Sequence, residues 1–267
     1  MDEGYRALAA RLAAEFVARA PRPRIVAISG AQGTGKSTLA VSLVAALRAQ
    51  ALRADRLSLD DFYLSRAARE RLAATVHPLF ATRGVPGTHD VERLESTLDA
   101  VFMHAPVAVP VFDKGRDDRA QETRTVDAPL DCVVVEGWCL AARPQAEADL
   151  ERPFNALERD EDPDGRYRRA VNDALAQGYR RLFARIDYLI FLAVSGIDDI
   201  VRWRGEQERS VVPELRMDPA RLRRFIAHYE RLTAWMGADV PARADVVVAL
   251  APDRSYSVHA RPARLAP

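Results

Sequence analysis

Apolar residues along this chain fall into two kinds of run: short dense ones, and longer ones in which they recur every three or four positions. The dense runs are "RIVAIS" at 24–29, "DRLSL" at 55–59, "CVVVEG" at 132–137, "DYLIFLAV" at 187–194 and "DVVVAL" at 245–250. Strands covered on both faces read this way, whereas a half-exposed sheet alternates apolar and polar positions. The periodic runs predict helices at 5–19, from Gly35 through Leu39, Leu43, Val44 and Leu47, and at 64–76, 90–103, 165–184, 197–209 and 218–236. Pro21 and Pro23 end the first of these, and His89-Asp90 caps the one at 90–103, with Glu92 in its first turn. Strand-like and helical runs alternate, so the chain predicts an α/β fold with a parallel five-stranded central sheet and helices on both faces.

The connecting segments add detail. "FATRGVPGTHD" carries the glycines and prolines of an ordered loop, "VAVPVF" at 107–112 precedes a charged loop, and the acidic "ERDEDPDG" at 158–165 reads as a solvated loop with turn chemistry at Pro163 and Gly165. No repeat or low-complexity linker divides the 267 residues, so one domain is expected, with 1–23 as an N-terminal helix.

Composition changes the picture only by exclusion. A net charge of +1 supplies no field for a nucleic acid or a membrane surface, so anion binding must come from local clusters. No apolar run reaches the roughly 18 residues of a membrane span. The N-terminus, with Asp2, Glu3 and Glu15, resembles neither a secretory signal nor a transit peptide, and a soluble cytoplasmic protein is expected. Cys132 and Cys139 lack metal-ligand spacing and read as core thiols. The chain has only two lysines, Lys36 and Lys114.

Lys36 sits in the strongest motif. Gly30 to Ser37 spells GAQGTGKS, which fits the phosphate-binding pattern GxxxxGK[ST] and is followed by Thr38. Chance gives such a match in about one chain in a hundred of this length, and a strand before it with a helix after it lowers that further. Gly30, Ala31, Gln32, Gly33, Thr34 and Gly35 would turn backbone N–H groups toward phosphate. Lys36 would reach the β- and γ-phosphates, and Ser37 would ligate Mg2+, with Thr38 opening the helix. A P-loop NTPase three-layer sandwich that binds ATP follows, and the absence of the guanine-reading NKxD motif disfavours a switch GTPase. Asp60 and Asp61 end the second strand, at the sheet edge where ligands bind, and one carboxylate there can orient an acceptor hydroxyl and take its proton.

The segments "SGAQGTGKST", "SLDDFYL", "TRGVPGTHD", "VPVFDKGRDDRA", "VVVEGW" and "WRGEQE" occur in the order seen in glycerate kinases of the plant D-glycerate 3-kinase type. From about residue 24 to 254 the chain resembles that family, within the group that includes phosphoribulokinase, uridine kinase and pantothenate kinase. The resemblance implies Asp60 as base and Glu136 near magnesium or the acceptor. A glycerate pocket wants a planar cation for the carboxylate and hydrogen-bonding groups for the alcohols, which nominates Arg83 with Tyr63, His89 and Asp90. Asp113, Lys114, Arg116 and Arg119 form a second cluster. In kinases of this kind a helical lid after the fourth strand, here about 197–236, brings arginines onto the transferred group, which nominates Arg202 and Arg204 on either side of Trp203. Trp203, Tyr229 and Trp235 read as core rather than as nucleotide stackers.

One departure stands out. Where the family pattern has glycine in "GRGDR", this chain has Asp117, a carboxylate expected to repel an anionic acceptor. The expected reaction is transfer of the γ-phosphoryl group of ATP to a small hydroxy acid, D-glycerate first. The same chemistry on pantothenate, a nucleoside or a sugar phosphate is the nearer alternative, and a nucleotide-dependent metallochaperone or regulatory NTPase the more distant one. The sequence leaves the oligomeric state open.

Overall fold

A computed structural model describes residues 2–103, 105–209 and 216–260. The central sheet has six strands in the order β2-β5-β1-β6-β7-β8. They are β1 (Ile25–Gly30), β2 (Ala54–Ser58), β5 (Cys132–Gly137), β6 (Tyr188–Val194), β7 (Val246–Leu250) and β8 (Tyr256–Ala260). The first five are parallel, as the dense apolar runs predict; β8 pairs antiparallel with β7 at the edge. Its sequence "YSVHA" alternates apolar and polar residues, the pattern of a strand with one face exposed, and was outside the five expected strands.

Every residue of β1 and β5 is buried, because helices cover both faces of the sheet. On one face α1 (Asp2–Ala18) and α2 (Lys36–Ala49) pack Leu12, Phe16, Leu39 and Leu43 against Val26, Ile28 and Ile190. On the other, α4 (Val91–Ala100) and α9 (Pro219–Asp239) pack Leu94, Leu98, Leu232 and Met236 against Ala27, Val133 and Val135. Two apolar cores on the faces of one sheet make the three-layer sandwich. Strand β1 lies between β5 and β6, so the C-terminal ends of β1, β2 and β5 open at one edge.

Three expectations change. The charged loop after "VAVPVF" is a strand: β3 (Val107–Asp113) and β4 (Asp118–Val126) form a separate antiparallel hairpin. Gln121, Glu122, Thr123 and Thr125 of β4 are exposed, and Arg124 clamps the hairpin to β2 through Asp55 Oδ2 at 3.0 Å. The acidic stretch is solvated only in part: Asp160, Glu161 and Asp164 are exposed, but Glu158 and Asp162 are not. α5 (Ala156–Glu161) occupies much of it, and the buried carboxylates of Glu158 and Asp162 are matched by Arg231 at 2.7 Å and Arg168 at 3.0 Å. The expected helix over 165–184 is divided into α6 (Arg166–Ala174) and α7 (Arg180–Phe183) by a π-helical segment, Leu175–Tyr179. The segment carries Tyr179, which reaches the loop at 84–90. Helices α3 (Arg66–Thr75) and α8 (Ile197–Glu208) complete the fold. Residues 210–215, inside the expected lid, lie outside the described residues. No helix among the described residues is long and apolar enough to cross a membrane.

Candidate active site

A cleft of about 310 Å³ opens above the C-terminal edge of the sheet, between the β1–α2 loop, the turn after β2, the end of β5 and the helices α8 and α9. Its floor is backbone. Gly30 has φ +149, and a Cβ there would lie 2.6 Å from the Leu192 carbonyl oxygen, so only glycine lets β1 turn beside β6. Gly33 and Gly35 also take left-handed φ values, +80 and +85. α2 begins at Lys36 without a side-chain cap, which leaves the amides of its first turn directed at whatever anion the loop holds.

Side chains fix this loop from behind. Thr34 donates its hydroxyl to the Ala31 carbonyl at 2.8 Å, and the Thr34 carbonyl accepts from Tyr5 Oη of α1, also at 2.8 Å. Lys36 Nζ crosses the loop to the Ala31 carbonyl at 2.8 Å. Burial lowers the Lys36 pKa, while Glu136 and Asp60 act to raise it. Ser37 Oγ donates to Glu136 Oε1 at 3.1 Å, so a hydroxyl and a carboxylate converge beside the phosphate floor. That pair fits Mg2+, which takes one or two protein oxygens and fills its octahedron with phosphate and water. Among the described residues no cluster of three His, Cys, Asp or Glu forms a metal cage.

The opposite wall is made of side chains. Asp60 lies in a 3-10 turn, Leu59–Phe62, that follows β2 directly. Its Oδ1 accepts from Tyr63 Oη and its Oδ2 from Lys114 Nζ, both at 2.7 Å. Burial pushes the Asp60 pKa up, but Lys114, Tyr63 and His89 outweigh it and hold the carboxyl at about 2. Lys114 comes from the turn of the β3–β4 hairpin, which docks on the same segment through Phe112 N to Asp61 Oδ1 at 3.5 Å. His89 stacks against Tyr63, ring centroids 4.7 Å apart, and burial lowers its pKa to about 4. Its Nδ1 lies 2.6 Å from Tyr179 Oη, which also accepts from Gly87 N. The tyrosine hydroxyl therefore donates to Nδ1, and the neutral ring carries its proton on Nε2.

Arg83 closes the end of this wall. Asp117 Oδ1 pairs with Arg83 Nη1, and Asp117 Oδ2 lies 3.0 Å from Nη2 of the buried Arg69. Asp117 has φ +54, in the left-handed region that aspartate tolerates and glycine prefers, which accounts for the backbone side of the glycine-to-aspartate departure. It does not line the cleft. The expected repulsion is thus redirected: its carboxylate is taken up by two guanidinium groups.

Of the residues nominated from sequence, Gln32, Gly33, Gly35, Lys36, Ser37, Thr38, Asp60, Tyr63, Arg83, His89, Lys114, Glu136 and Arg204 line one cleft. Gly30 and Ala31 border a neighbouring, largely apolar cavity instead, and Thr34 is buried under the loop. Asp90 caps α4 and pairs with Arg119 at 2.7 Å; Arg119 also donates to the Tyr63 carbonyl, so both brace the wall from outside. Arg116 is exposed on the hairpin turn beside Asp113. Arg202 points away, to Asp199 and the Pro252 carbonyl, whereas Arg204 faces the cleft paired with Glu208 at 2.6 Å. Trp203 is core, its Cβ standing 3.0 Å from where a Gly33 Cβ would sit.

Sequence reasoning missed Trp138, Phe225 and the second role of Tyr229. Tyr229 is buried as expected yet also lines the cleft and donates to the Arg83 carbonyl at 2.6 Å. Trp138, in "VVVEGW", stacks edge-on against Tyr229 and donates from Nε1 to Thr233 of α9 at 3.0 Å. The i, i+4 spacing of Phe225 and Tyr229 signals one helix face but not what that face meets. Both cysteines are buried as expected; burial pushes the Cys132 thiol up to about 12 and the Cys139 thiol higher still.

No family model matches the chain. An uncharacterized kinase of Schizosaccharomyces pombe, mug58, is 34% identical over 221 residues, which span 78% of this chain and 79% of that protein. The chloroplastic D-glycerate 3-kinase of Arabidopsis thaliana is 28% identical over 198 residues, 70% of this chain but only 41% of the plant enzyme. The solved structure of D-glycerate 3-kinase from Cryptococcus neoformans superposes with a TM-score of 0.75 at 23% identity, covering 97% of each chain.

Proposed function

The chain belongs to the P-loop kinases related to D-glycerate 3-kinase, and on that premise we propose that it transfers the γ-phosphoryl group of ATP to a hydroxyl of a small hydroxy acid, D-glycerate giving 3-phosphoglycerate. The observation that carries this reading is the pairing of two unlike walls in one cleft. A backbone floor with Lys36 suits a nucleotide triphosphate, and 60–63, 83–89 and 114 supply a carboxylate, a neutral imidazole, a lysine and an arginine opposite it. Kinase relatives, one of which acts on D-glycerate, support the same class.

In this reading the loop amides and Lys36 hold the β- and γ-phosphates, and Ser37 with Glu136 would hold Mg2+, which neutralises phosphate charge when bound. Arg204 approaches the transferred group from α8. Asp60 orients the acceptor hydroxyl. A carboxylate held at about 2 is too weak a base to strip an alcohol beforehand, so the proton moves to it late, as the bond to phosphorus forms. Lys114 and Tyr63 keep Asp60 anionic and fixed. Arg83 takes the acceptor carboxylate, and His89 offers Nε2–H to an acceptor oxygen. The protein's contribution is position and charge rather than covalent chemistry.

ADP release measured with D-glycerate and with a panel of other small alcohols, and the product position read by NMR, tests the reading. Phosphate on the 3-hydroxyl is expected. No release above background with glycerate, alongside turnover of another alcohol, would sink it.

A further inference from the structure

Resting on the hydroxy-acid reading above, we propose that Asp117 is a specificity-determining residue: acting through Arg83, it fits the acceptor site to a singly charged carboxylate and against a doubly charged phosphate ester. The cluster of Arg69, Arg83 and Asp117 carries this. Arg69 is 1% exposed, and its fork is spent on the Leu64, Ala81 and Asp117 carbonyls, so it cannot reach a ligand. Buried in this way, it needs a counter-ion, and Asp117 Oδ2 supplies it at 3.0 Å. The other oxygen of Asp117 engages Arg83 Nη1 only. A guanidinium has five donors in a planar fork, so its remaining edge can still meet a carboxylate in the cleft.

Two guanidinium groups and one carboxylate leave one net positive charge. Nearby Lys114 is already matched by Asp60, and Arg204 on the nucleotide side by Glu208. An acceptor carboxylate brings the cluster to neutrality. A phosphate dianion would exceed it by one negative charge, with Asp117 directly behind Arg83 and a triphosphate ahead. Phe112 holds the geometry, its ring 5.4 Å from the Arg83 guanidinium carbon and 6.0 Å from that of Arg69. The hairpin turn does not depend on the Asp117 side chain, because Asp113 Oδ1 accepts from both Gly115 N and Arg116 N.

The test compares kcat/KM for D-glycerate and other hydroxy monocarboxylates with that for phosphorylated alcohols, in the wild type, Asp117→Asn and Asp117→Gly. The wild type should favour the monocarboxylate. In Asp117→Asn that preference should fall by about tenfold or more, chiefly through acceptor KM, while KM for ATP moves by less than about twofold. Asp117→Gly, whose backbone suits φ +54, should shift it in the same direction and covers the case in which the asparagine variant folds poorly. A purely structural role would weaken both acceptor classes alike. An unchanged preference in the folded variants, or a wild type that turns over phosphate esters as readily as monocarboxylates, overturns the proposal. If the wild type uses a monocarboxylate other than glycerate, the glycerate reading falls and this one stands. If glycerate is used and the preference does not move, only this one falls.

Discussion

The two walls of the cleft are built on opposite principles. The nucleotide side is backbone: a loop between two buried elements, its shape set by left-handed glycines and by bonds within five positions, with Tyr5 of α1 the one distant brace named above. The acceptor side is side chains brought together from far apart. Asp60 meets Lys114 across 54 positions, Arg83 meets Asp117 across 34, and His89 meets Tyr179 across 90. A backbone site holds phosphate whatever the attached groups are, so it can serve many kinases. A side-chain site can be retuned one residue at a time, so specificity collects there.

Substitutions can probe that contrast. The largest effect is expected on turnover. Asp60→Asn should lower kcat by roughly 10²–10⁴ while leaving nucleotide affinity nearly intact. Lys36→Met should lose roughly 10²–10³ and weaken ATP binding as well. Steady-state kinetics with each substrate varied separates the two patterns, and equal effects on both substrates would erase the distinction between the walls.

Next comes a stability effect on the backbone side. Gly30→Ala should cost about 4 kcal/mol, since a Cβ against the Leu192 carbonyl adds overpacking to a backbone conformation that only glycine adopts readily. Urea unfolding measures this, and a loss below about 1 kcal/mol would mean that the loop yields more easily than its contacts indicate.

The acceptor side should show its difference in pH dependence. His89 has a folded pKa of about 4 against an ordinary 6.5, so the unfolded chain takes up the proton first. Stability is therefore full above 6.5, falls as pH drops through that window, and levels off below about 4, with a total loss of about 3 kcal/mol. His89→Asn should flatten that slope in urea midpoints measured from pH 7 to 4.5. Asp60 acts in a separate window: its depressed pKa gives stability above the usual 3.8 that is lost as pH falls toward about 2.

The smallest effect expected is that of Tyr5→Phe. Removing the bond to the Thr34 carbonyl should cost about 1 kcal/mol and raise KM for ATP modestly, with acceptor KM unchanged. A change in acceptor KM of equal size would show that the walls are coupled through the loop.

The same contrast governs what was legible in the sequence. The five parallel strands, the loop and Lys36 could be read directly because a buried parallel strand, a glycine turn and a helix start are local patterns. Asp60 was marked by its place at a strand end, and Glu136 by the family resemblance. The β3–β4 hairpin escaped because its second strand, "DRAQETRTV", is largely polar, so no apolar alternation marks it. The burial of Glu158 and Asp162 escaped because their partners, Arg231 and Arg168, lie outside the acidic run. Asp117 was visible as a departure, but its effect depends on Arg69, whose burial no local pattern announces.

The chain's two lysines both line the cleft, Lys36 half-buried in the loop and Lys114 with its side chain 62% exposed. Amine-selective acylation should therefore modify, apart from the α-amino group, only positions inside the cleft. Each of the two resulting peptide masses then reports on one wall, so a protection footprint distinguishes nucleotide from acceptor occupancy without any engineered label.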